Sequence, residues 1–241
     1  MGLAVRNGAW AKAGGPTPPT YGGLCFTAEA ANSSVQLTAV GSAPVVTLIK
    51  SFDGVNWEDY AVGEVIELTS IGKYVYLAAG ESGNETFGSS ASNYHTFVIN
   101  GLVAASGDIT SLISFDLEHT TLASYCYSRM FYGCTGLTSA PELPATKLAT
   151  NCYNNMFYGC TGLTSAPELP ATTLANNCYR GMFSGCTNIS LIKVHFTAWG
   201  TQTSAWVSDV PSTGTFYKPS VLPDEFSTDR IPTGWTVVNI D

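Results

Sequence analysis

Glu142 and Glu168 lie 26 residues apart in identical surroundings, each within the octapeptide SAPELPAT. Two carboxylates held a few ångströms apart are the equipment of a glycosidase, one protonating the leaving oxygen and the other activating water or attacking the sugar. Here their identity follows from duplication, and nothing in the sequence places a cleft around them, so they read as a solvated acidic ladder. Ser190-Leu191-Ile192-Lys193 has the S-x-x-K spacing of penicillin-binding-type acyl transfer, yet its companion motifs are missing and its alternation reads as strand. His95, His119 and His195 are scattered, with no metal spacing and no Ser or Cys partner pattern. No G-x-S-x-G, H-E-x-x-H, Walker or dinucleotide fingerprint occurs. The expectation is a non-enzymatic protein with no catalytic residue, no metal and no cofactor.

The chain has seven cysteines, and six occupy two repeated slots, Cys126, Cys152 and Cys178 in one and Cys134, Cys160 and Cys186 in the other. Eight residues of helix span roughly 12 Å at ~1.5 Å per residue, whereas a disulfide needs Cα atoms within about 7 Å. Equivalent cysteines on packed neighbouring helices would stand about 8–10 Å apart. Neither pairing is comfortable, so buried free thiols acting as small hydrophobes are expected. The spacing is not of the C-x₂₋₄-C kind and no histidine enters the repeated slots, which argues against zinc.

These residues belong to a 26-residue period. Thr120, Thr146 and Thr172 fall in register, as do Leu122, Leu148 and Leu174, the tyrosines 127, 153 and 179, the methionines 130, 156 and 182, and the phenylalanines 131, 157 and 183. MFYGCTGLTSAPELPAT occurs twice, letter for letter, at 130–146 and 156–172. Fixed self-similarity of this length means units that stack because each is too small to bury its own apolar face. Thr120 sits where an N-cap belongs. Leu122, Ala123, Cys126, Tyr127, Met130 and Phe131 recur at spacings of three and four, which predicts one helical stripe ended by Gly133. Leu137–Ala140 is then a short extended segment, closed by Pro141 and Pro144. The strand side of such a stack is a common ligand surface, which makes Thr138, Glu142, Thr164 and Glu168 the candidate binding residues.

Upstream, residues 24–113 carry the segments LCFTA, SVQLTAV, PVVTLIKSF, EVIELT, KYVYLAA and YHTFVING, rich in β-branched and aromatic residues. Asp53-Gly54 between two of them predicts a two-residue hairpin turn. Six or seven short strands favour a β-sandwich. Residues 1–23 have no core-forming pattern and end in the Pro/Gly linker GGPTPPTYGG. Arg6 and Trp10 are the residues there that could attach the chain to a larger assembly. MGLAVRNGAWAKAGG lacks the uninterrupted apolar stretch of a signal peptide. A net charge of −8 with only 12% charged residues offers no basic patch for nucleic acid or anionic lipid. No apolar run approaches the ~20 residues of a membrane span. Asn32, Asn84 and Asn188 begin N-x-S/T sequons of a kind that arise by chance in a chain this rich in Ser and Thr.

The stretches CYSRMFYGCTGLTSAPELPATKLA and CYNNMFYGCTGLTSAPELPATTLA resemble the BspA-like leucine-rich repeats of gut-bacterial surface proteins and of phage proteins. Trp206-Val207, Gly214-Thr215-Phe216 and 231–237 (IPTGWTV) are similar to that group's closing cap, so the resemblance covers about residues 115–241. The third unit departs after Cys186, where TNISLIKVHF replaces TGLTSAPELP. The resemblance implies a leucine-rich-repeat fold, a role in binding or adhesion and no catalytic residue. The expected fold class is therefore multidomain, β plus α/β repeat: an attachment tail (1–23), a β-sandwich (24–113), and a short leucine-rich-repeat-like solenoid (114–241) capped by 187–241. Together with Val5-Arg6-Asn7-Gly8-Ala9-Trp10, which is similar to lead-in segments of tail-type proteins, this order leads to the expectation of a phage virion component. That component would be a head or tail fibre, decoration or receptor-binding protein, with protein partners at the tail and a host-surface glycan or protein at the repeats. A homo-oligomer fits this expectation. The alternative is a bacterial surface adhesin expressed without its leader.

Overall fold

In a computed structural model, which describes residues 21–240, the chain is built almost entirely from short strands. Arg6 and Trp10 lie outside the described residues. In chain order the strands are β1 (Cys25–Ala28), β2 (Ser33–Val40), β3 (Leu48–Ser51), β4 (Glu58–Tyr60), β5 (Val65–Leu68), β6 (Tyr74–Ala79), β7 (Gly88–Ser90), β8 (Asn93–Asn100), β9 (Val103–Ser106), β10 (Leu137–Ser139), β11 (Leu191–Lys193), β12 (Thr215–Lys218) and β13 (Thr236–Asn239). One sheet runs β10-β9-β1-β6-β3-β4 and a second β5-β2-β8-β7, while β11-β12-β13 forms a parallel third.

The first two sheets face one another. Phe26 of β1 meets Phe97 of β8 with ring centroids 4.9 Å apart, and Val35, Leu37, Val75 and Leu77 are fully buried around them. The alternation of apolar residues read from the sequence produces these inward faces. β3 and β4 do pair as a hairpin, but residues 52–57 connect them rather than a two-residue turn. Asp53 organises that loop, its carboxylate accepting from the backbone N–H groups of Val55 (2.8 Å) and Asn56 (2.7 Å).

No α-helix forms among the described residues; the helical elements are the 3₁₀ turns Ile109–Leu112 and Thr201–Thr203. The helix expected over 120–133, and with it the α/β character of the repeat, is therefore corrected. In its place each unit forms a spiral of four-residue turns. Every fourth residue adopts positive φ: Tyr125 (60°), Arg129 (60°) and Gly133 (72°) in the first unit, Asn151 (57°), Asn155 (52°) and Gly159 (70°) in the second, Asn177 (51°), Gly181 (61°) and Gly185 (75°) in the third. That region suits Gly and, next to it, Asn.

Backbone donors alternate strictly along the spiral. The amides of Cys126, Ser128, Met130, Tyr132 and Cys134 each donate three residues back within their own unit, while those of Tyr125, Tyr127, Arg129, Phe131 and Gly133 donate to Thr150, Cys152, Asn154, Met156 and Tyr158 of the next. A 3.6-residue helix would turn all of these bonds inward. The period of exactly four keeps half of them for the neighbour.

The same period puts side chains in register. Phe131, Phe157 and Phe183 stack at 5.4 and 5.8 Å, and Tyr127, Tyr153 and Tyr179 at 5.9 and 6.0 Å. The ring columns begin on Phe97 and Phe87 of the two-sheet region and end on Trp206. All seven cysteines are free and buried. The thiols of Cys134, Cys160 and Cys186 donate to the carbonyls of Phe97, Phe131 and Phe157 at 3.0–3.1 Å, each reaching into the layer before its own. Burial pushes the Cys126, Cys134, Cys178 and Cys186 thiols up to about 12, so they remain protonated. Gly162 permits close layering: a Cβ there would lie 2.6 Å from the Thr135 carbonyl oxygen and 2.8 Å from that of Leu137.

Candidate functional site

The repeats present two different surfaces, and the residues expected to bind lie on the strand side. β10 pairs in parallel with β9, which places Thr138 beside the two-sheet region; its hydroxyl is buried and has no hydrogen-bond partner. Glu142 is exposed and its backbone bridges to Asp108, with its N–H donating to the Gly107 carbonyl at 2.8 Å. Thr164 is exposed, and its carbonyl accepts from the Ser190 backbone N–H at 2.9 Å and the Ser190 hydroxyl at 3.2 Å. Glu168 is exposed and lies 2.9 Å from Lys193 Nζ and 2.5 Å from His195 Nε2. Its carboxyl is held below the usual range, first by the hydrogen bond from Lys193 and then by that from His195. Ser190-x-x-Lys193 thus runs into β11, where the lysine serves an ion pair. Thr138, Glu142, Thr164 and Glu168 line neither the groove over the turn spirals nor the smaller hollow around Ser82–Glu85.

A concavity exists on the other side, over the turn spirals. It has a volume of about 410 Å³ and crosses all three units, from Ala91 at the β7–β8 turn to Ala205 beyond the third. Its walls come from four slots of the repeat: Tyr125, Asn151 and Asn177; Ser128, Asn154 and Arg180; Arg129, Asn155 and Gly181; Tyr158 and Ser184. Two of these slots carry the positive-φ residues, so the turn that orders the backbone also places residues at the groove. The Asn154 amide donates to the Asn151 side-chain oxygen at 3.1 Å, and Asn155 to that of Asn154 at 2.5 Å, forming an amide chain along the floor. Gly181 leaves room for it, because a Cβ there would lie 2.1 Å from the Asn155 side-chain oxygen.

Arg129 closes the end near the two-sheet region. Its guanidinium carbon stands 5.2 Å from the Tyr94 ring centroid and 5.7 Å from that of Tyr132, within cation–π reach of both. Its Nε is buried and has no acceptor. Tyr132 and Tyr158 stack at 4.9 Å, 43% and 38% exposed, as an aromatic rim. Arg180 is exposed on the third unit. No carboxylate lines the groove, although the chain carries a net charge of −8.

The sequence of the repeats singles out the same slots. The first unit (120–145) and the second (146–171) differ only at 121/147, 124/150, 125/151, 128/154 and 129/155, and the last three pairs all line the groove. Between the second and third units, 154/180, 155/181 and 158/184 differ and again line it, while Cys, Tyr, Met and Phe persist at the buried slots; 147/173, 150/176 and every position from 162/188 to 171/197 differ as well, where the third unit leaves the repeat. Exposure alone does not account for this pattern. Thr135, Glu142 and Thr146 are exposed too, yet they are identical to Thr161, Glu168 and Thr172. The signal was thus present in the sequence as differences between near-identical units.

No protein-family model matches the chain, and neither a curated protein nor a solved structure shows significant similarity to it.

Proposed function

We propose that this chain is a non-enzymatic recognition protein, in which a short solenoid of the leucine-rich-repeat kind presents the turn-face groove to a ligand. The observation that carries this reading is that three of the five differences between the first and second units fall in groove-lining slots, while the exposed strand-side residues of those two units are identical. A rigid scaffold of buried rings and thiols, with a few exchangeable positions on its surface, suits recognition because little side-chain entropy is lost when a preformed site binds. The strand-face residues Thr138, Glu142, Thr164 and Glu168 are the competing surface and serve as the control.

The setting we propose is a phage virion, where the chain would be a fibre, decoration or receptor-binding component attached through Arg6 and Trp10. Its resemblance to repeats of phage and gut-bacterial surface proteins supports this setting, as does the succession of tail, β region and repeats. Antibody raised against the purified chain should label particles recovered from lysates. Labelling of intact bacterial cells with no labelling of particles would instead assign the chain to a surface adhesin. Deleting residues 1–20 should abolish incorporation into particles while leaving the rest folded.

A further inference from the structure

We infer that the turn-face groove takes an oligosaccharide bearing an acidic group, with Arg129 and Arg180 holding the anion and the asparagine floor reading sugar hydroxyls. This rests on the reading of the chain as a recognition protein and adds the class of ligand. Three observations lead to it.

The first is the inventory of the lining. Side-chain amides and hydroxyls predominate, from Asn151, Asn154, Asn155, Asn177, Ser128 and Ser184. Each amide offers both donors and an acceptor, the pairing that a ring of vicinal hydroxyls requires. An apolar ligand would leave unpaired the donors and acceptors that the floor does not already use within itself, which such a site rejects. The exposed Tyr132–Tyr158 pair supplies an aromatic edge of the amphipathic kind that covers the apolar face of a sugar ring.

The second is charge. In an acidic chain, this groove concentrates two guanidinium groups and no carboxylate among its lining residues. Arg129 and Arg180 belong to the first and third units, roughly 10 Å apart at ~4.8 Å per layer. That separation is a distance bridged by a chain of linked sugars rather than by a single small anion.

The third is a placed guanidinium. Arg129 is laid against Tyr94 and Tyr132 by cation–π contact, and among the described residues no carboxylate pairs with it. A carboxylate or phosphate at the groove end would accept from its two terminal nitrogens in the fork geometry arginine favours, the buried Nε staying out of the ligand's reach.

The test uses the full chain on an array of oligosaccharides that are neutral, carboxylate-bearing or phosphate-bearing, followed by calorimetry with trigalacturonate and its methyl ester. Acidic members should bind and matched neutral members should bind at least roughly tenfold more weakly, the loss expected when a charge-assisted hydrogen bond is removed. Binding should weaken as salt is raised. The carboxylate and phosphate arms distinguish the two sources of the anion. Arg180→Ala, on an exposed position that leaves the fold intact, should weaken binding by a similar factor. Asn154→Ala should also weaken it, whereas Thr164→Ala and Glu142→Gln should not. Equal binding of acidic and neutral members, unaffected by Arg180→Ala, overturns the acidic-ligand inference and leaves the recognition reading in place. Loss of binding in the strand-face variants alone overturns the groove itself. If nothing on the array binds while the chain still adheres to bacterial cells, the ligand class is wrong and the recognition reading survives. Failure of both overturns the two together.

Discussion

The strand side and the turn side of the repeats are made by the same 26 residues, yet they have diverged differently. On the strand side, exposed residues such as Glu142 and Glu168 are identical in the first two units, and their surroundings are bridges to Asp108 and ion pairs to Lys193 and His195 of the third, which leaves the repeat there. On the turn side, Tyr125, Ser128 and Arg129 of the first unit are replaced by three asparagines in the second, over an unchanged layer of Cys, Tyr, Met and Phe. Layering fixes the inside of a repeat, and between the first two units three of the five changes fall in buried or half-buried turn-side slots.

The largest expected effect lies beneath both faces. Phe157 is the middle ring of its column and fully buried. Phe157→Ala should cost about 3–5 kcal/mol in chemical denaturation, because the cavity opens onto both neighbouring layers. A loss near 1 kcal/mol would mean that the column is not a continuous core. Gly162→Ala tests the closeness of the layers on the strand side, since the added Cβ meets the backbone oxygens of Thr135 and Leu137. A loss of about 1–3 kcal/mol is expected there, as for overpacked sites.

Next comes an exchange between units. Substituting Tyr125, Ser128 and Arg129 together by asparagine, as in the second unit, should change stability by no more than about 1 kcal/mol. Asparagine relieves the positive-φ positions while the Arg129–Tyr94 contact is lost, and these effects oppose one another. Binding to an acidic oligosaccharide should nevertheless fall. A large loss of stability would show that these slots are structural and would remove the contrast between the faces.

The smallest effect belongs to the strand side. Glu168→Gln should cost less than about 1 kcal/mol, as exposed ion pairs do. Its carboxyl is held below the usual value of about 4.5, mainly by Lys193, so its contribution is present above that pH and disappears as pH falls through the lowered value. A denaturation series from pH 6 to 3 on the wild type and Glu168→Gln measures it. Identical pH profiles would mean that the ion pair contributes no stability.

The strands of the first region were legible because alternation survives in short segments such as SVQLTAV, which became β2. β7 and β9 were not foreseen: GSS and VAAS carry little β propensity and are held in place by the neighbours they pair with. The period of 26 and the buried free thiols were legible in the repeats. The spacing predicts a helix where none forms because apolar residues at 126, 127, 130, 131 and 134 satisfy a three-and-four spacing as well as a strict four. The distinguishing signal was Asn or Gly at every fourth position, Asn151-x₃-Asn155-x₃-Gly159 and Asn177-x₃-Gly181-x₃-Gly185. The groove was missed for a related reason. A helix would have given those residues to an ordinary solvated face, whereas the turn spiral arranges them as a concave floor.

Inserting a second copy of 146–171 after residue 171 tests most directly whether the layers are interchangeable. Urea denaturation of that variant should show one cooperative transition, a midpoint at or above the wild type and a steeper dependence on denaturant, because an added layer buries more surface. A lower midpoint or a second transition would contradict it, since a unit that cannot sit on its own copy is not a layer.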